Sequence, residues 1–173
     1  MTDRMTSVLL LGGARSGKSQ RALRLAESLS DQRIFIATAE ALDDEMADRI
    51  ARHKAERGAG WRTIEAPLDL VSALERQTGP DRVCVIDCLT LWLSNLMHHQ
   101  RDIETETGSL CAALRDLNGP VILVTNEVGL GLVPETPLGR AFRDAQGRLN
   151  QAVAQVCAQV EFIAAGLPLR LRG

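Results

Sequence analysis

The residues Gly12-Gly13-Ala14-Arg15-Ser16-Gly17-Lys18-Ser19 satisfy G-x-x-x-x-G-K-[ST] at every constrained position, the spacing of a loop that cradles phosphate. The glycines let the backbone curl close to an anion and turn successive N–H groups inward. Lys18 is expected to lie along the β- and γ-phosphates and the Ser19 hydroxyl to take a place on Mg²⁺. An ordinary glycine turn needs neither the lysine nor the serine. A second set of groups recurs at i, i+4 steps: Arg49, His53 and Arg57 fall on the same helical face as Leu42, Met46 and Ile50. Two readings of that mixed face stand. It looks toward an anionic ligand, or its arginines snorkel over the core edge with a partly buried histidine between them. A third candidate is Asp87, which ends the apolar run Arg82-Val83-Cys84-Val85-Ile86. At the carboxyl end of a central strand beside the phosphate loop, it would hold Mg²⁺ directly or through water. His98 and His99 read as exposed or capping residues at a helix end.

Chemistry of this kind needs strands that end at one edge and helices that begin there. Ser7–Leu11 reads as a buried strand and Gln20–Leu29 as the helix after the loop, the context the motif requires. Arg33–Thr38 is a second strand, and Leu42–Arg57 a helix with acidic residues in its first turn and Gly58 past its end. Trp61–Glu65 is short and extended, Pro67 opens a helix running to Gln77, and Arg82–Asp87 is a strand. Leu89–Met97 is a dense apolar helix with Trp92 in the core, and Thr105–Leu117 an amphipathic one. Val121–Thr125 is a strand followed by Asn126-Glu127 and the glycine-rich stretch Gly129–Pro134, either a ligand loop or a plain surface connection. A long helix over Gly139–Cys157 carries Arg140 and Arg143, expected at substrate or a neighbouring subunit, and Glu161–Ala165 with Pro168–Leu171 closes the chain as a hairpin. The pattern predicts an α/β, P-loop NTPase-like three-layer sandwich. It has a mostly parallel sheet, helices on both faces and an antiparallel C-terminal edge, in a single domain over residues 1–173.

Composition narrows the classes. Of 173 residues 45% are apolar and 24% charged, with a formal net charge of −2, which points away from disorder and from a polybasic nucleic-acid surface. No nucleic-acid partner is expected. Cys84, Cys88, Cys111 and Cys157 form no C-x-x-C pair and read as small core residues of a reduced protein. The polar start Met1–Thr6, and the lack of any apolar run near the roughly 20 residues a membrane helix needs, lead us to expect no leader, no membrane segment and a cytoplasmic location.

Taken in order, the phosphate loop, Ile36-Ala37-Thr38, Leu42-Asp43-Asp44-Glu45-Met46 with Arg49-Ile50 and His53-Lys54, Trp61-Arg62-Thr63 with Glu65, and Val124-Thr125-Asn126-Glu127-Val128-Gly129 with Val133-Pro134-Glu135 resemble the bifunctional adenosylcobinamide kinase / adenosylcobinamide-phosphate guanylyltransferase of cobalamin biosynthesis. The likeness covers nearly the whole chain. It implies phosphorylation of the aminopropanol hydroxyl of adenosylcobinamide by ATP or GTP. GMP then passes from GTP to that phosphate through a GMP–histidine intermediate, giving adenosylcobinamide-GDP and pyrophosphate. The matching histidine is His53. By the same resemblance Ala37, Thr38, Ala39, Lys54, Ala55, Glu56, Arg57, Glu65 and Asp87 surround the guanine nucleotide, and the chain assembles as a homo-oligomer, often a trimer in that family. Neutral imidazole is a competent nucleophile toward phosphorus, and Arg49 and Arg57 one turn away would oppose its protonation and stabilise charge on the α-phosphate. Thr125-Asn126-Glu127-Val128 is not the N-K-x-D element of regulatory GTPases, so guanine preference rests on the resemblance alone. Competing readings are a monofunctional P-loop small-molecule kinase with a structural His53, a non-catalytic GTP-binding switch, and a domain with a vestigial loop.

Overall fold

A computed structural model describes residues 7–40 and 44–173; within the helix at 44–57 the side chains of Glu45, Arg49, Arg52, His53 and Glu56 lie outside that description. So do Leu42 and Asp43, where the sequence pattern begins that helix.

Elements alternate along the chain as β1 Ser7–Gly12, α1 Lys18–Leu29, β2 Gln32–Ala37, α2 Asp44–Arg57, β3 Trp61–Glu65, α3 Leu70–Gln77 and β4 Arg82–Asp87. They continue as α4 Leu89–His98, α5 Ile103–Arg115, β5 Val121–Asn126, α6 Pro137–Val156, β6 Gln159–Ala164 and β7 Leu167–Arg172. One seven-stranded sheet results, in the order β3-β2-β4-β5-β1-β6-β7. All neighbours are parallel except β6 and β7, which pair antiparallel.

Side-chain alternation along the strands divides the core in two. Leu9, Leu11, Ile34, Ile36, Cys84, Ile86 and Leu123 pack toward α3 to α6, around a fully buried Trp92. Val8, Leu10, Phe35, Val83, Val85, Ile122 and Val124 face the other way, onto Ala22 and Ala26 of α1. Continuous apolar runs are the expected signature of strands covered on both sides. Trp92 also donates its indole N–H to the Leu68 carbonyl at 3.0 Å, which fixes the approach to α3.

Three helix bounds shift. α3 starts at Leu70 with Asp69 as its N-cap, not in the turn after Pro67; the Pro67 carbonyl instead accepts from Asn95 Nδ2 at 2.9 Å. α5 ends at Arg115, short of Leu117. α6 starts two residues before Gly139, with Pro137 in its first turn and the Thr136 hydroxyl accepting from Gly139 N–H at 3.0 Å. Most consequential for the site is the sheet order. Asp87 does not lie on the strand next to the phosphate loop: β5 is inserted between β1 and β4.

Candidate active site

The loop after β1 is shaped by what a side chain would hit. A Cβ on Gly12 would stand 2.4 Å from the Ile163 carbonyl oxygen and 2.7 Å from Ser16 Oγ, so only glycine lets β1 turn against β6. Arg15 at φ 54° and Gly17 at φ 98° adopt left-handed backbone within four residues of each other, a conformation that gathers N–H groups into an anion nest. Gly17 N-caps α1, and Gly166 N–H donates to the Ser16 carbonyl at 2.8 Å, so the β6–β7 turn braces the loop from beneath. Arg15 to Gln20 line a depression of about 260 Å³. Ala14, Arg15 and Ser19 are exposed, while Lys18 is only 6% exposed. Its ammonium donates to the Gly13 carbonyl and, at 3.4 Å, to Ser16 Oγ. Burial pulls Lys18 below the ordinary lysine value, against the opposing charges of Asp87 and Cys88.

Arg57, at the end of α2, feels the charge of the same carboxylate. Its guanidinium lies 3.6 Å from the centroid of the Phe35 ring, a cation–π contact, and donates to Thr63 Oγ1 at 3.2 Å. Its Nε is buried and has no hydrogen-bond partner among the described residues. Burial lowers Arg57 from its ordinary value, again with Asp87 opposing. Two cations on different elements thus share one carboxylate at the carboxyl edge of the sheet, a local arrangement of positive charge suited to a polyanion.

The remaining predicted residues distribute along that edge. Ala37 ends β2 in register with both Asp87 and Glu65. Thr38 is fully buried beneath it: its hydroxyl donates to the Cys88 carbonyl at 2.7 Å and accepts from Cys88 N–H at 2.9 Å, and its own carbonyl accepts from Asn95 Nδ2 at 2.7 Å. The side chain of Thr38 therefore ties β2 to β4. Ala39 is half-buried, and Lys54, Ala55 and Glu65 are exposed. His53 stands in α2 one turn before Arg57, but the side chains of Arg49, His53 and Glu56 lie outside the described residues. His99 caps α4 and pairs with Glu40 at 3.0 Å, as a helix-end histidine should. Arg140 donates to the Pro134 and Glu135 carbonyls at 3.0 and 2.8 Å, and Arg143 faces Asp144 at 3.5 Å. Arg140 thereby closes the Gly129–Pro134 loop onto α6.

A support system under the end of β5 escaped the sequence reading. Thr125 Oγ1 donates to Asn150 Oδ1 at 2.7 Å, and Gln146 Nε2 donates to both. Asn150 Nδ2 holds the Asn126 carbonyl at 3.1 Å, Thr90 Oγ1 accepts from Asn126 N–H at 2.8 Å, and Glu127 N–H donates to the Gly12 carbonyl at 3.0 Å. The available signal was the interruption of the apolar stripe of α6 by Gln146 and Asn150, four residues apart and both buried. Oxygen ligands for Mg²⁺ are present in exposed Ser19 and in Asp87. Among the described residues no three His, Cys, Asp or Glu side chains converge as a metal cage. The donor set fits a magnesium ion that takes most of its ligands from nucleotide phosphates and water.

A family model described as cobinamide kinase / cobinamide phosphate guanyltransferase matches residues 8–171. The chain is 47% identical over 167 residues to the bifunctional adenosylcobalamin biosynthesis protein CobP of Pseudomonas aeruginosa, covering 95% of this chain and 96% of that one. It is 37% identical over 180 residues to the bifunctional adenosylcobalamin biosynthesis protein CobU of Escherichia coli, covering 95% and 99%. Among solved structures, one ATPase domain is 15% identical with a TM-score of 0.52, covering 92% of this chain and 69% of that one. An ATPase of the type III secretion system of pathogenic bacteria is 11% identical with a TM-score of 0.58, covering 96% and 57%. At such identity these two speak for the P-loop NTPase fold alone.

Proposed function

The chain belongs to the cobinamide kinase / cobinamide phosphate guanyltransferase family, and on that premise we propose that it carries both reactions at one edge of the sheet. In the first, the aminopropanol hydroxyl of adenosylcobinamide takes the γ-phosphoryl group of ATP or GTP. In the second, a neutral imidazole nitrogen of His53 attacks the α-phosphorus of GTP and pyrophosphate leaves with the electrons of the broken P–O bond. An oxygen of adenosylcobinamide phosphate then displaces the imidazole, giving adenosylcobinamide-GDP. An unperturbed imidazole, near ~6.5, is mostly neutral at neutral to alkaline pH and needs no further activation to act this way.

The observation that carries the reading is the placing of Lys18 in the phosphate loop and Arg57 at the end of the His53 helix, with the charge of Asp87 favouring the protonated form of both. One cation belongs to the phosphate loop and the other to the helix that contains His53, so the two halves of the chemistry share one electrostatic centre. Phosphoryl transfer requires little beyond positioning and charge neutralisation. Lys18 would supply both from inside the loop, and Arg57 would offset charge that develops on a second phosphate. Ser19 and Asp87 would hold Mg²⁺, which when bound neutralises charge on the β- and γ-oxygens. The likeness to bifunctional relatives over nearly the full length supports both steps, and homo-oligomer assembly and a cytoplasmic location accompany this reading.

Intact-protein mass after incubation with GTP and Mg²⁺ tests it, at neutral to alkaline pH because a phosphoramidate is acid-labile. Wild type is expected to gain the mass of one GMP and His53→Ala to gain none. A His53→Ala protein that still forms the adduct overturns the histidine assignment. Wild type that forms none while phosphorylating cobinamide is a monofunctional kinase.

A further inference from the structure

The kinase step needs a group to take the proton of an alcohol, and the carboxylates at the carboxyl edge of the sheet can be weighed one by one. Strands lie about 5 Å apart, so the order β3-β2-β4-β5-β1 sets their distances from the phosphate loop. Glu65 ends β3, four strands from β1, roughly 19 Å away. Glu40 follows β2 and is paired with His99. Glu161, on β6, is 1% exposed and engaged by Arg21 and Gln159. Asp87 answers Lys18 and Arg57, and in the reading above it also faces the metal.

Glu127 differs on each count. It follows β5, the strand inserted between the loop strand β1 and the Asp87 strand β4, and it is half-buried rather than sealed. Its N–H donates to the Gly12 carbonyl at 3.0 Å, which pins its backbone to the first residue of the phosphate loop. Its support is rigid: Thr90 and Asn150 hold the preceding peptide, and Gln146 and Thr125 hold Asn150. Its carboxylate is oriented by Gly129 N–H, which donates to Oε1. A Cβ on Gly129 would stand 2.9 Å from that oxygen, so a side chain there would displace the carboxylate from its present position.

We propose that Glu127 is the general base of the kinase step, an assignment that rests on the functional reading above. As the substrate oxygen bonds to the γ-phosphorus and the bridging P–O bond breaks, the hydroxyl proton passes to a Glu127 carboxylate oxygen. The nucleoside diphosphate leaves with the bond electrons. The proton then returns to solvent, and nothing is oxidised or reduced. Late proton acceptance by a positioned carboxylate is the role such a group plays in other alcohol kinases.

Bifunctionality supplies the control. A phosphate monoester enters the second reaction already anionic at pH 7 to 8, its second ionisation lying near ~6, and needs no base. Glu127→Gln keeps an oxygen to accept from Gly129 N–H and removes only the basicity. The variant is expected to lose about 10²–10⁴-fold in turnover on adenosylcobinamide. Its nucleotide KM should stay within about threefold, and GMP transfer to supplied adenosylcobinamide phosphate within about twofold. Kinase turnover within about tenfold of wild type, or parallel loss of both reactions with weakened nucleotide binding, overturns the assignment and makes Glu127 a prop for the loop. A wild-type enzyme without kinase activity, seen before any variant is made, overturns the functional reading and this inference with it.

Discussion

Lys18 is a buried and Arg57 a half-buried cation, each with its protonation disfavoured by desolvation and partly restored by one carboxylate. Such a site favours an anion, and in the function proposed above a nucleotide phosphate supplies it. The pH dependence of binding follows from the direction of the Lys18 shift. Below its folded-state value the ammonium is present and attracts phosphate; above it, and still below the 10.5 of an ordinary lysine, the attraction is lost. Nucleotide affinity, followed by calorimetric titration from pH 7 to 10, is therefore expected to fall at a pH where a solvated lysine would still be charged. Lys18→Arg, with a side chain that stays protonated, should flatten that fall. In the free protein the sign is opposite. Over the same interval the unfolded chain binds more protons than the folded one, so this group alone makes stability rise with pH. An affinity independent of pH up to 10 in wild type would mean that burial does not shift Lys18. The phosphate loop was legible because its constraints are local: eight contiguous residues carry the turn, the cation and the hydroxyl. Arg57 was half-legible. Periodicity placed it on a mixed face, but its stacking on Phe35 and its influence on Asp87 depend on β2 and β4 being neighbours, which no helical spacing reveals.

At the scale of elements, apolar runs and turn residues located the strands closely, since a strand buried on both faces leaves an unbroken hydrophobic signature. Their order was beyond reach, because the insertion of β5 between β1 and β4 depends on non-local pairing. The same blindness hid the tie between α1 and β6. Glu161 reads as an ordinary polar position on a terminal strand, yet its side chain is 2% exposed, and Arg21 grips it at 2.9 and 3.0 Å while Gln159 donates at 2.7 Å. Removing one partner of such a pair leaves an uncompensated buried charge. Arg21 is 30% exposed in its side chain, so water moderates the loss. Arg21→Ala is expected to cost roughly 2–3 kcal/mol in urea unfolding, at or below the lower end of the range for buried pairs. The double change Arg21→Met with Glu161→Gln should cost less than Arg21→Ala alone, because it removes the charge along with its partner. Equal losses would show the carboxylate to be solvated by other means. Because α1 begins at the phosphate loop, the same variant should weaken nucleotide binding without touching a ligand atom.

Across the whole molecule the four cysteines act on stability together, although none takes part in the chemistry argued above. All are free and buried. Burial is the leading cause in each case, raising Cys84 and Cys157 to about 12 and Cys88 to about 11 from an ordinary 9.0, with Cys111 moved in the same direction. A raised folded value favours the neutral thiol in the native state. Its contribution to stability is complete below pH 9 and is lost as pH climbs toward the folded values, where the unfolded chain releases protons that the folded chain keeps. Each pH unit in that window removes up to about 1.4 kcal/mol per thiol. Three strongly shifted groups therefore remove several kcal/mol by pH 11, a large share of the 5–15 kcal/mol typical of a domain. Lys18 and Arg57, lowered by burial, act in the opposite direction. The urea midpoint is expected to hold steady from pH 7 to about 8.5 and then fall steeply. Cys84→Ala should begin less stable at pH 8, because it empties space in the core, and should lose less between pH 9 and 11, because one of the titrating groups is gone. If wild type and variant lose stability in parallel over that interval, the alkaline sensitivity arises elsewhere. Saturating Mg²⁺-nucleotide at neutral pH should raise the midpoint through mass action, yet it should leave the slope of the alkaline limb unchanged below the pH at which Lys18 releases its proton.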